Sequence, residues 1–188
     1  MVAAARSEVA ASRDVRTAEI CWEDVVRCVS GQMRSLVGVV PELDDLTQTA
    51  LEQVLRAIDG FEGRAELSTF TYRVSANVAL KHFRSWRRFV RRFDIGNDAD
   101  AVPAPFVGPD EELIERERTR RLHRALDRLE PRKRITLTLV DLEELPASRV
   151  ATILEIPEAT VRSRLRVARM DLHAILDRDP LFTREVSR

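Results

Sequence analysis

A chain of 188 residues has the length of one medium domain or two small ones. Its 33% charged residues, 5% aromatics and 6 glycines, with Ala, Leu, Val, Arg and Glu abundant, predict an all-α protein and argue against a β-sandwich or barrel. Lys plus Arg and Asp plus Glu both number 31, so the formal net charge of zero excludes any bulk-charge argument for nucleic acid and leaves only local clustering.

The opening stretch MVAAARSEVAASRDVR carries Arg6 and Glu8 before any apolar run, unlike a secretion signal. No run in the chain approaches the roughly 20 apolar residues of a membrane span, so a cytoplasmic protein is expected. Residues 1–18 match no motif and are expected to form an extension. Cys21 and Cys28 lie seven apart on one predicted helix, a spacing of neither a redox pair nor a zinc set, and are read as reduced core thiols. His82, His123 and His173 are scattered, with no carboxylate or Cys at ligand spacing, so no metal or cofactor is expected.

In ELDDLTQTALEQVLRAID, Leu46, Ala50, Leu51, Val54, Leu55 and Ile58 recur at helical spacing behind Pro41 and an Asp pair suited to capping. The other face gathers Asp45, Gln48, Glu52 and Asp59, which suits a solvated surface as readily as a partner surface. DGFEG then breaks the chain. LSTFTYRVSA predicts a short helix capped by Ser68, with Asn77 at a turn or the next cap.

From Val78 to Val90, at about 100° per residue, Ala79, Phe83, Trp86 and Val90 fall on a packing side, opposite Lys81, Arg84, Arg88 and Arg91. Lys81 to Arg92 holds six bases and no acid, whereas Phe93 to Glu115 holds seven acids and no base. An acid-free cationic stripe suits a phosphate backbone, although a solvated basic face would look the same. The acidic segment is rich in Pro and Gly and reads as a flexible linker over 93–111. Two domains are therefore expected, 19–92 and 112–178, with a tail over 179–188.

The second domain opens on PDEELIERERTRRLHRALDRL, whose acids precede its bases as the helix dipole prefers. PRKRITLTLVDLEEL predicts another helix, with Ile135, Leu137, Leu139, Val140 and Leu142 available for a core. Pro146 then suits a first helical turn, Val150, Ala151 and Leu154 an inner face, and EIPEAT a tight connection. Val161, Leu165, Ala168, Leu172 and Ile175 stripe the following helix at i, i+4, i+7, i+11 and i+14. Two helices and a tight connector make a helix-turn-helix, with Arg162, Ser163 and Arg166 turned from the stripe toward the end that enters a major groove in such motifs. The same pattern also fits a helical hairpin of an adaptor or protein-interaction domain, and a stand-alone helix-turn-helix regulator.

These stretches together resemble a bacterial sigma factor of the extracytoplasmic-function (ECF) class within the sigma-70 family, over about Cys21 to Leu176. DDLTQTALEQVLRAIDGFEGRAELSTFTYRVSANVALKHFRSWRR is similar to region 2, and LDRLEPRKRITLTLVDLEELPASRVATILEIPEATVRSRLRVAR to region 4. The resemblance implies a non-enzymatic promoter-specificity subunit whose partners are core RNA polymerase and promoter DNA. Asp45, Leu46, Gln48 and Glu52 would dock on the β′ clamp helices, and the apolar interior of region 4 would meet the β flap. Asn77, Ser75 and Ala76 would line a loop capturing an extruded base of the minus-ten element, with Arg73, Lys81, Arg84, Arg87 and Arg88 on the adjoining strand. Thr160, Arg162, Ser163, Arg164 and Arg166 would contact the minus-thirty-five duplex, with Arg164 and Arg169 on phosphates. An anti-sigma factor covering the same surfaces is a further implied partner. Phe70 and Thr71 depart from a frequent Trp-Leu, Lys81 from Asp, Glu155 from Gly and Val167 from Arg.

Overall fold

The computed structural model describes residues 21–58, 66–93 and 111–183. The expected extension 1–18, the DGFEG break, most of the linker 93–111 and the last tail residues lie outside them. Among the described residues every regular element is helical. The chain divides into two compact units, Met1–Ala79 and Leu80–Arg188.

In the first unit, α1 (Trp22–Val37) buries Val25, Val29, Met33, Leu36 and Val37. It stops at Gly38, whose φ of 84° is readily adopted only without a Cβ. Helix α2 (Leu43–Ile58) buries Ala50, Val54 and Ile58, with Asp44 and Asp45 in its first turn, where the dipole favours anions. Leu55, expected inside, is 51% exposed. Both cysteines are free and exposed rather than in the core. The spacing of Val25, Val29 and Met33 sets the buried side of α1, and Cys28 falls off it.

Helix α3 runs unbroken from Leu67 to Phe93, so it begins in the first unit and from Leu80 on belongs to the second. Ser68 is inside it rather than capping it, and Asn77 is in its middle rather than at a turn. Asn costs a helix interior only about 0.7 kcal/mol or less. Burying Phe70, Val74, Val78, Ala79 and Phe83 outweighs that, since each large side chain contributes roughly 1.5–3 kcal/mol. One polar cluster crosses the core: Gln32 Nε2 donates to Thr71 Oγ1 at 2.9 Å, and Ser75 Oγ donates to Gln32 Oε1 at 3.0 Å. Thr71, unusual for the family resemblance, thus supplies the acceptor that a buried amide requires.

In the second unit, α4 (Glu111–Arg128) leads to α5 (Pro131–Leu137). Glu130 caps α5 by accepting from the Arg132 and Lys133 N–H groups, with Pro131 at the first helical position. A π-helical turn, Thr138–Leu142, follows, and the Glu143 N–H donates to the Thr138 carbonyl at 3.0 Å. Leu142 is 47% exposed instead of filling the core, because the wider turn ends the α-helical stripe at Leu139. Helices α6 (Ala147–Leu154) and α7 (Glu158–Leu176) form the helix-turn-helix. Pro146 caps α6 rather than entering it, and Ile153 joins Val150 as its buried residue, whereas Ala151 and Leu154 are half-buried. Leu126, Leu129, Leu137, Leu165 and Ala168 form one core cluster, against which Leu122, Val140, Leu172 and Ile175 pack.

Glu155 holds the turn in the left-handed conformation, at φ 53° and ψ 45°. The geometry a glycine would take is kept, at a cost on the order of 1 kcal/mol. The Ile156 N–H then donates to the Ala151 carbonyl at 3.1 Å, closing the end of α6. Past α7, Asp179 Oδ1 accepts the Leu181 N–H of the short α8 (Pro180–Thr183) at 3.0 Å and pairs with Arg121 at 2.7 Å.

Arg121 also meets Glu117 at 2.7 Å, and Arg120 meets the same carboxylate at 2.6 Å. The hydrogen bond from Arg120, opposed by burial and reinforced by Arg121, lowers the Glu117 pKa to about 2. A carboxylate held below its unfolded value of 4.5 contributes stability above that value and loses it as pH falls toward 2. The thermal midpoint of this unit should therefore drop across that window. Glu117→Gln should lower the midpoint at neutral pH and flatten the acid limb, as followed by circular dichroism; an unchanged acid limb would count against the assignment.

Candidate polymerase and nucleic-acid interfaces

The first surface is the outer face of α2. Asp45 and Gln48 are exposed, and Glu52 and Leu46 half-buried. Gln48 Nε2 donates to Glu52 Oε1 at 3.2 Å, and Arg56 pairs with Glu52 Oε2 at 2.9 Å. Among the described residues no side chain engages the Asp45 carboxylate, which stands one turn before this chain of bonds. The face thus sets an exposed Asp45 carboxylate beside the Gln48, Glu52 and Arg56 chain.

The second surface is the outer side of α3. Asn77, Lys81, Arg84 and Arg88 recur at i, i+4, i+7 and i+11, all exposed, and Arg87 and Arg92 extend the cationic surface. Asn77 is thus brought into line with the bases as part of one helical stripe, not as part of a loop. Half-buried Arg73, one turn earlier, lies with its guanidinium 5.7 Å from the Phe70 ring centroid. Ser75 and Ala76 are 0% and 2% exposed and belong to the core. Their expected place on a capture loop is corrected by the continuity of α3. Trp86 leaves the packing side as well and is 48% exposed, its ring stacked on that of Phe89.

The third surface is α7, whose first turn has no side-chain cap. Arg162, Ser163, Arg166 and Arg169 are exposed, and Thr160 and Arg164 half-buried. Arg162 reaches back to Glu158 at 2.6 Å, and Ser163 Oγ donates to the Thr160 carbonyl at 3.1 Å. Among the described residues Arg166 contacts no carboxylate, its Nη1 lying 3.6 Å from Met170 Sδ. Arg169 grips Asp141 through two bonds of 2.6 and 2.9 Å, which raise its pKa. Burial, with repulsion from Arg132, lowers that of Arg164. Lys133 pairs with Asp171 at 2.6 Å, tying α5 to α7. Sequence reasoning missed Asp141 and Asp171, because their partners lie 28 and 38 residues away.

Two family descriptions match the chain: Sigma-70 region 2 over residues 22–89 and Sigma-70, region 4 over residues 119–172. RNA polymerase sigma-H factor of Pseudomonas aeruginosa is 29% identical over 147 residues, covering 75% of this chain and 76% of that protein. ECF RNA polymerase sigma factor SigE of Mycolicibacterium smegmatis is 27% identical over 159 residues, 82% of this chain and 61% of that protein. ECF RNA polymerase sigma-E factor of Escherichia coli K12 is 27% identical over 138 residues, 68% and 70% of the two chains. The fold is shared with two solved structures at 20% identity and a TM-score of 0.55. These are CnrH in complex with the cytosolic domain of CnrY, covering 81% of this chain and 82% of that one, and the sigma factor RpoE in complex with the anti-sigma factor NepR from Bartonella quintana, covering 81% and 92%. With both regions matched in order, the chain belongs to the sigma-70 family, as an RNA polymerase sigma factor of the ECF class.

Proposed function

We propose that the chain divides promoter recognition among its three surfaces, with residues 19–92 and 112–178 as the working domains and 93–111 as their linker. Asp45, Leu46, Gln48 and Glu52 dock on the β′ clamp helices of core polymerase, and the apolar surface of region 4 meets the β flap. Asn77 takes an extruded minus-ten base, while Arg73, Lys81, Arg84, Arg87 and Arg88 hold the adjoining strand; buried Ser75 and Ala76 position Asn77 from within. Arg162, Ser163 and Arg166 face the minus-thirty-five duplex, and Thr160, Arg164 and Arg169 hold its backbone. Catalysis stays with core polymerase, and the chain works in the cytoplasm beside it. An anti-sigma factor is a further partner, supported by the complex in which RpoE was solved.

The observation that carries this reading is the acid-free stripe of Lys81, Arg84 and Arg88 on the same helix face as Asn77. It puts base capture and phosphate neutralisation together, so unstacking at a few kcal/mol is offset by contacts without ATP. A stand-alone helix-turn-helix regulator would use α6 and α7 and leave both other surfaces idle. Core polymerase mixed with the chain should yield promoter-specific run-off transcripts from a genomic promoter library. No transcript on any promoter, with no complex on gel filtration, sinks the reading.

Arg166, the exposed arginine of α7 that meets no carboxylate among the described residues, is assigned to base reading. Arg166→Ala should weaken binding to minus-thirty-five duplex by about 1–3 kcal/mol while changing affinity for scrambled duplex far less. Equal losses on both would assign it to phosphate instead.

A further inference from the structure

The two cysteines are nucleophiles that neither the core nor the three surfaces use. Both are free and exposed, Cys21 at the N-cap of α1 and Cys28 further along the same helix. At about 1.5 Å of rise per residue they stand about 10 Å apart, beyond the roughly 7 Å between Cα atoms that a disulfide spans, so they cannot join each other. Cys21, Asp24, Cys28 and Gly31 step by three, four and three, and all four are exposed. At about 100° per residue they share an arc of about 80°, the arrangement of a helix–helix seam. Its side chains are small, and a Cβ added at Gly31 would meet nothing from the rest of the described residues within 4 Å, so a second backbone can come close.

The seam complements itself in one direction. About a two-fold axis between Asp24 and Val25, an antiparallel second copy sets its Cys28 opposite Cys21 and its Cys21 opposite Cys28. Exposed Glu23 and Arg27 flank the seam on one side, and the same axis brings Arg27 of each copy toward Glu23 of the other. Asp24, nearest the axis, is already paired with Arg27 on its own helix. Parallel pairing would instead set Arg27 against Arg27 and Glu23 against Glu23. We propose that Cys21 and Cys28 form a peroxide-responsive cross-linking site, which joins two copies of the chain along antiparallel α1 helices through a pair of reciprocal disulfides. In each disulfide the thiolate of one cysteine attacks an oxygen of hydrogen peroxide. The O–O bond breaks, the leaving hydroxide takes the thiol proton to become water, and the sulfur is oxidised by two electrons to a sulfenic acid. The facing thiolate of the second copy then attacks that sulfur; the S–S bond forms, the S–O bond breaks, and a second water leaves with the second thiol proton. Each disulfide consumes one peroxide, and a thiol reductant reverses it. The inference stands apart from the promoter reading.

The test exposes the reduced full chain to hydrogen peroxide and reads non-reducing gel electrophoresis and peptide mass mapping. The expected product is a covalent dimer, separated again by dithiothreitol, whose bridged peptides join Cys21 to Cys28. Cys21→Ser or Cys28→Ser alone should dimerise at least about tenfold more slowly, because like cysteines lie about 10 Å apart across the axis. An equimolar mixture of the two variants should cross-link near the wild-type rate, since each supplies the cysteine that the other lacks. Arg27→Glu should slow cross-linking about fivefold, and Glu23→Arg combined with Arg27→Glu should restore it, with an unchanged circular dichroism spectrum throughout. No dimer, a dimer made as readily by either single variant, bridges joining Cys21 to Cys21, or cross-linking untouched by Arg27→Glu would each overturn the proposal. Oxidation that ends as sulfinic acid on the monomer would do the same.

Discussion

Asp45→Arg is expected to weaken binding to core polymerase by at least about a hundredfold, while the affinity of the full chain for duplex DNA stays within about twofold. Asp45 is exposed in the first turn of α2, and no side chain among the described residues engages its carboxylate. Its charge is therefore fully available to a cationic partner. Reversing it removes one attraction and sets like charges together, which costs several kcal/mol when the contact excludes water. The local penalty is small by comparison. Losing an acid near the helix N-terminus costs about 0.5 kcal/mol, and α2 is held by Ala50, Val54 and Ile58 on its far side. Sedimentation or gel filtration with core polymerase reads the first quantity, anisotropy on duplex DNA the second. Unchanged polymerase affinity would remove α2 from the docking surface.

The second large effect concerns stability. Asp179→Ala should destabilise the second unit by about 3 kcal/mol and lower its melting midpoint by roughly 12–24 °C. Arg121 and Asp179 are 6% and 7% exposed, and they pair at 2.7 Å across 58 residues of chain. Burial alone would lower the Arg121 pKa, yet the hydrogen bonds it donates to Glu117 and Asp179 leave it raised. Truncating Asp179 thus strips part of the compensation from a guanidinium with little exposure to water, and it also removes the acceptor for the Leu181 N–H. The shape-matched double variant Arg121→Met with Asp179→Leu should recover most of the loss, because the cost lies in orphaning a charge. A double variant no better than the single one would show that the tail helix contributes through its cap alone.

Much of this was legible in the chain itself. The stripe Val161, Leu165, Ala168, Leu172 and Ile175 packs in the register its spacing predicts, since a 3.6-residue period leaves no other side to bury. Glu155 in place of the usual glycine leaves the geometry of the turn open in the sequence, and the structure keeps it left-handed. Features set by competition between local preference and packing were not legible. Asn77 reads as a turn residue, but the core residues on either side of it continue the helix. Trp86 follows the apolar period of Ala79 and Phe83, yet the core it would join ends before it. Cys28 looks like a core thiol until Val25 and Val29 define the buried side. The long-range pairs Arg121 with Asp179 and Arg169 with Asp141 have no local signature, because only the fold brings their partners together.

The carboxylates that hold the arginines of α7 reach beyond stability. If Arg162 and Arg169 meet DNA as proposed, they come to it already paired with Glu158 and Asp141. Engaging a base or phosphate with either is therefore an exchange, in which a displaced acid is left facing the DNA backbone. A correct site supplies enough matched contacts to drive that exchange, whereas a mismatched one leaves the arginines with their internal partners and the acids in place to repel it. On the proposed reading these two acids would act as a threshold against wrong sequences, and removing Asp141 should make binding tighter and less discriminating at once.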